Sequence, residues 1–210
     1  MLRPIPISLL LFLVAGCVSW PDFETTARSM YNVTSSGTSK FDGTKHIRLS
    51  NMQCSGTIMF ELYQDTAKSK SSTVLLKAGS NSITNIGNGE SLLIKLDGKT
   101  YSFRSNDVLT EHESIHFGHG VTMPFSHKTY VVPETVVREA ASSNVFLARV
   151  HFLNNTFIEG KCSAFTLQET KEENKHLGLD ITQKHIDTGN KFAAVNGFRE
   201  FVRMMDTTTW

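Results

Sequence analysis

The chain has little that would single out a chemistry. Its 210 residues contain 3 Cys, too few for a disulfide-built scaffold, and 5 Pro with 14 Gly, too few for a collagenous or low-complexity chain. With 40% hydrophobic residues, a single core can be buried without a cysteine framework, so one globular domain is expected. Charge of one sign is missing too. Twenty-one Lys and Arg against 20 Asp and Glu give a net +1, and no stretch interleaves bases with aromatics, so a nucleic-acid partner is not expected. No Gly-rich phosphate cradle is present: Gly87-Asn88-Gly89 lies between two apolar runs of strand type, not between a strand and a helix. There is no G-x-S-x-G elbow, and no apolar run approaches the roughly 20 residues of a membrane-spanning helix.

What the sequence does have is period two. Ile58, Phe60 and Leu62 alternate with Thr57, Met59 and Glu61, and apolar runs follow at 72–78 and 83–86, each ended by Gly or Asn. Leu92, Ile94 and Leu96 lead into Asp97-Gly98 and out through Lys99, Tyr101 and Phe103. An Asp-Gly pair suits a type I′ turn, which puts Ile94 opposite Tyr101 and Leu92 opposite Phe103. A second hairpin is expected from 145–153 and 157–164 across Asn154-Asn155. Two helices are expected late in the chain. One covers 133–142, with Pro133 and Glu134 in its first turn. The other covers 191–205, capped by Thr188-Gly189-Asn190 and burying Phe192, Val195, Phe198, Phe201, Val202 and Met205, with Gly197 as a liability in its interior. The charge-dense 168–176 reads as a solvated loop or frayed helix. The fold class is α+β, mainly β: an antiparallel sandwich or open barrel with two late helices.

Arg3 precedes an apolar run of about 10 residues, Ile5 to Val14, which reads as a signal-peptide core. It ends in Val14-Ala15-Gly16-Cys17, and here the chain resembles bacterial lipoprotein precursors, whose lipobox has an apolar residue, two small ones and the cysteine that is lipidated. The resemblance covers these positions alone. It implies a signal peptide over 1–16, cleavage before Cys17, thioether lipidation of Cys17 and acylation of the new amino terminus. More than one acyl chain makes such an anchor stable. Val18 and Ser19, with no Asp after Cys17, imply sorting to the outer membrane. The Ser/Thr/Gly-rich 17–45 then reads as a tether, and 46–210 as one globular β-rich domain. In an oxidising envelope, Cys54 and Cys162 are expected to pair, a link across about 100 residues contributing up to about 4 to 5 kcal/mol; the alternative is two buried free thiols.

One string carries possible chemistry. His112-Glu113-Ser114-Ile115-His116 is an H-E-x-x-H sequence, which on a helix places two imidazoles around Zn²⁺ and a glutamate beside the metal-bound water. Capped by Ser105 or Asn106, residues 106–117 resemble the zincin helix to that extent. The third ligand would be Glu134 or Glu139, and Glu113 the catalytic base. Against this, about two in a hundred chains of this composition carry the string by chance. Gly118 and Gly120 stop a helix at once. Read as a strand, the same residues put His112, Ser114 and His116 on one face and Glu113 and Ile115 on the other. A looser alternative is a His-rich loop of His112, His116, His119 and His127. The leading expectation is a non-enzymatic module binding an envelope protein, glycan or lipid, without a cofactor; the alternative is a zinc-dependent hydrolase.

Overall fold

The computed structural model describes residues 31–117, 121–173, 175 and 180–210. The lipobox with Cys17, His119 and His176 lie outside the described residues. The described chain is mainly β, with antiparallel sheets forming a curled half-barrel and five helices.

Strands β1 (Val33–Thr38), β2 (Lys45–Gln53), β3 (Ile58–Asp65), β4 (Thr73–Ser80), β7 (Glu111–Phe117) and β8 (Val121–Pro133) form one sheet in the order β1-β2-β3-β4-β8-β7. β5 (Glu90–Leu96), β6 (Lys99–Arg104), β9 (Phe146–His151) and β10 (Phe157–Lys161) form the other, in the order β10-β9-β5-β6. All strand pairs within the sheets are antiparallel. Helix α1 (Thr66–Lys70) starts at Asp65, whose carboxylate accepts from the backbone N–H of Lys68. The later helices are α2 (Glu134–Ser142), α3 (Leu167–Glu173), α4 (Gln183–Asn190) and α5 (Ala194–Thr207).

The Asp97-Gly98 hairpin has the expected register, Ile94 against Tyr101 and Leu92 against Phe103, and both turn residues have positive φ, 44° and 95°. The two helices expected late in the chain form as α2 and α5, and α3 and α4 lie between them in sequence. Other expectations shift. Residues 33–38, assigned by composition to the tether, pair with β2 as an edge strand whose side chains are all exposed, so the sheet begins inside that segment. Residues 83–86 are no strand: Ile83 is 81% exposed, while buried Ile86 makes a single bridge to Phe152. Thr188-Gly189-Asn190 ends α4 rather than capping α5.

The core lies between the sheets and is closed by α2 and α5. Ile47, Leu49, Phe60, Leu62, Leu76, Ala78, Tyr130 and Val132 of the first sheet meet Leu92, Ile94, Leu96, Phe146, Ala148 and Val150 of the second. Phe198 of α5 stands edge-on to both Phe60 and Phe146, at ring distances of 6.0 and 5.1 Å, joining sheet, sheet and helix in one aromatic cluster. Gly197, a cost by helix propensity, has a packing reason: a Cβ there would lie 2.7 Å from Met52 Cγ and 2.8 Å from Asn32 Oδ1, so glycine lets α5 close onto β2.

At one side the sheets are stitched together by a seam. Cys54, just after β2, is disulfide-bonded to Cys162, just after β10, across a sequence separation of 108. Beside it the Ser55 N–H donates to the Lys161 carbonyl at 2.9 Å, and the Lys161 N–H to Ser55 Oγ at 2.8 Å. The backbones approach so closely that a Cβ on Gly56 would lie 2.1 Å from the Glu159 carbonyl oxygen, and one on Gly160 2.1 Å from that of Ser55. Across the molecule, the bridge between Ser105 and Tyr130 ties the end of β6 to β8.

Candidate functional site

The H-E-x-x-H string occupies β7, so the extended reading is the one that describes it, and the helix over 106–117 is not formed. Four residues along a strand separate His112 and His116 by roughly 13 Å at the backbone, far beyond what two ligands of one ion span. His112 Nδ1 lies 2.8 Å from Ser126 Oγ, and His116 Nδ1 lies 3.3 Å from Thr122 Oγ1. Glu134 and Glu139 are elsewhere. His112 faces Ser126, and Glu134 follows Pro133 at the far end of β8, roughly 23 Å of strand away. Glu134 there accepts from Arg138 at 2.8 Å, and Glu139 accepts from the Tyr101 hydroxyl.

What gathers instead is a row of charges on the sheet face opposite the core. A cavity of about 150 Å³ is lined by Arg48, Ser50 and Asn51 of β2 and by Glu113, Ser114 and Ile115 of β7. In a flat sheet those strands, four positions apart, would be roughly 19 Å distant. Only a sheet curled toward this face brings both to one small space, which explains why Met59, Glu61, Phe125 and His127 are buried although they point away from the core. Arg48 Nη2 is 2.7 Å from Glu61 Oε2, and Lys77 Nζ is 4.0 Å from Glu61 Oε1 and 2.6 Å from Glu113 Oε1. His127 Nε2 then lies 3.0 Å from Glu113 Oε1 and 3.8 Å from Glu111 Oε2.

Burial, helped by the Lys77 charge, holds the His127 imidazole below its ordinary pKa against the pull of Glu113 and Glu111. Burial pushes the Glu113 carboxyl up, but Lys77 and His127 outweigh it and the net shift is down. With His127 neutral, the row has two cations, Arg48 and Lys77, against three carboxylates, Glu61, Glu113 and Glu111. Among the described residues no Lys or Arg lies within 4.0 Å of the Glu111 carboxylate.

The sequence reading named Glu113 and His127 but did not bring them together, and it missed Glu111. The signal was two alternating runs close together in sequence, 111–117 and 121–133, which places Glu111 opposite His127 once the strands pair.

A second recess, of about 510 Å³, lies on the outer face of the four-stranded sheet. Leu93 and Leu147 give it apolar side chains, strand backbone at Ala148 and Gly160 lines it between them, and Lys95, Arg149, Glu159 and Lys161 also line it. Arg149 is hydrogen-bonded to Glu159 and stacked over the Phe157 ring at 4.4 Å. Lys161 is paired with Glu169 at 2.6 Å. Lys95 has no carboxylate within 4.0 Å among the described residues. Leu147 and Phe157 are 37% and 48% exposed beside it, so the recess offers an apolar surface with a free positive charge. No helix among the described residues is long and apolar enough to cross a membrane. Neither a protein-family model, nor a curated protein, nor a solved structure matches this chain.

Proposed function

We propose that this is an envelope lipoprotein, anchored through Cys17 in the outer membrane, whose β domain binds an envelope protein, glycan or lipid without catalysing a reaction. The carrying observation is the recess on the four-stranded sheet. It combines the apolar side chains of Leu93 and Leu147 with Lys95, which has no carboxylate within 4.0 Å among the described residues, and an arginine stacked on an exposed aromatic ring, a surface suited to a partner that is apolar with an anionic group. The alternative of a zinc hydrolase on His112, Glu113 and His116 loses its support in the extended form of β7, since zincin chemistry needs both imidazoles one helical turn apart.

The test has two arms, run in cells making the full chain. A photo-crosslinking side chain at Leu147 is expected to capture a discrete partner, while the same group at exposed Lys70 captures none. A clickable fatty acid is expected to label the wild type and not Cys17→Ser. No adduct specific to position 147 would remove the recess as the binding surface, and an unlabelled wild type would remove the anchor.

A further inference from the structure

We infer that Glu111, Glu113 and His127 form a binding site for one divalent first-row transition metal ion, of the Zn²⁺ type, at the mouth of the curled sheet. Three observations carry this. The first is convergence: Glu111, Glu113 and His127 each offer a ligand atom, and these lie within 4.8 Å of one another. A tetrahedral ion with bonds of roughly 2.0 to 2.2 Å needs its ligands somewhat closer than that. The glutamates supply the adjustment, since both are surface side chains, 57% and 41% exposed, on the same strand edge.

The second observation is the state of His127. Its side chain is fully buried, and neither ring nitrogen has a hydrogen-bond partner. Nε2 points to the carboxylates at 3.0 and 3.8 Å, yet off the line an N–H···O bond requires. A buried imidazole is ordinarily satisfied, because an unmade bond there carries the desolvation cost of the group with no return. A cation between Nε2 and the two carboxylates would satisfy Nε2, and imidazole with carboxylate is a donor set that first-row divalent ions accept. The third is charge: Glu111 faces no lysine or arginine within 4.0 Å among the described residues, so the cluster has an unbalanced carboxylate on the side where the ion would lie.

Lys77 is the built-in competitor. Its ammonium occupies Glu113 Oε1 at 2.6 Å, the same oxygen that faces His127, and it has a second acceptor, Glu61 Oε1, at 4.0 Å. Metal binding therefore exchanges one cation for another at Glu113 and leaves Lys77 a partner among the described residues. Three protein ligands leave at least one coordination position open. The site differs from the H-E-x-x-H arrangement in using neither His112 nor His116, and it departs from the expectation that the domain holds no metal.

The experiment is calorimetric titration of the full chain with ZnCl₂, with folding of each variant checked by circular dichroism. One Zn²⁺ per chain is expected. Glu111→Gln and Glu113→Gln, substitutions at exposed positions, should each weaken binding by about tenfold or more. Lys77→Met should strengthen it, and His112→Ala with His116→Ala should leave it unchanged. The Lys77→Met gain separates a site at Glu113 from adventitious binding, which would be indifferent to that residue. No zinc uptake, uptake unchanged in both glutamine variants, or uptake lost only with His112 and His116 would each overturn the assignment.

Discussion

Removing the Cys54–Cys162 bond should cost the domain a large part of its stability while leaving its native structure in place. The bond closes a loop spanning 108 residues. In the chain-entropy treatment, releasing a loop of that length frees about 16 cal/mol/K in the unfolded state, or about 4.8 kcal/mol at 25 °C. That is a third or more of the 5 to 15 kcal/mol typical of a folded domain. The native side loses little, because the backbone bonds between Ser55 and Lys161, the bond from the Cys162 N–H to the Phe146 carbonyl and the two close-packed glycines do not depend on sulfur. Cys54→Ala with Cys162→Ala is the right perturbation, since a single replacement would leave a free buried thiol. Equilibrium unfolding in urea should show a midpoint lowered by an amount corresponding to several kcal/mol. It should also show a steeper denaturant dependence, because the unlinked unfolded chain exposes more surface. A loss below about 1 kcal/mol with an unchanged slope would refute the reasoning, since the bond would then not be limiting the unfolded chain.

Two further outcomes are expected. Gly98→Val should destabilise by about 1 kcal/mol or more through backbone strain alone, since φ is 95° and nothing lies within 4 Å of the added Cβ; an unmoved urea midpoint would count against the turn. Tyr130 is fully buried, and burial pushes its hydroxyl up to about 12, with Ser91 pulling the other way. An ordinary tyrosine ionises near 10. Below that pH both folded and unfolded chains keep the proton. Between about 10 and about 12 only the unfolded chain releases it, so stability should fall as pH rises through that window, by roughly 2 to 3 kcal/mol. Tyr130→Phe should blunt that alkaline loss, and a folded-state phenol absorbance change near 10 at this position would be the contrary result.

How much of this was legible in the sequence depends on how local the determinants are. The Asp97-Gly98 hairpin could be read to the register because a two-residue turn leaves the strands no freedom. The α5 stripe was legible because Val195, Phe198, Phe201 and Met205 repeat on one face. Residues 83–86 misled, since an apolar run says nothing of whether a partner strand is available, and Ile83 faces solvent. The H-E-x-x-H string fits both periods over so short a span that only the pairing of β7 with β8 decides it. The curl that buries His127 was beyond reach, because it arises from the whole sheet. So was Lys128, which turns into the body with its ammonium donating to Asn88 Oδ1 at 2.9 Å and to the Gly87 carbonyl at 3.3 Å, in a stretch that reads as an ordinary alternating strand.

The seam also sets a timetable. β2, β3 and β4 are neighbours in sequence and can pair as soon as they exist, but the segment around Cys54 to Gly56 has its mates at Glu159 to Cys162. Phe198, which fills the space between Phe60 and Phe146, comes later still. A chain emerging from its amino end therefore holds a half-built sheet, with Cys54 unmatched and the face of Phe60 uncovered, until almost all of it has appeared. Closure by such distant contacts makes a slow final step, and it makes roughly the carboxy-terminal quarter of the chain the part that converts a loose sheet into a domain. Shortened chains ending before α5 would keep every strand named above and still lack the piece that shuts them together.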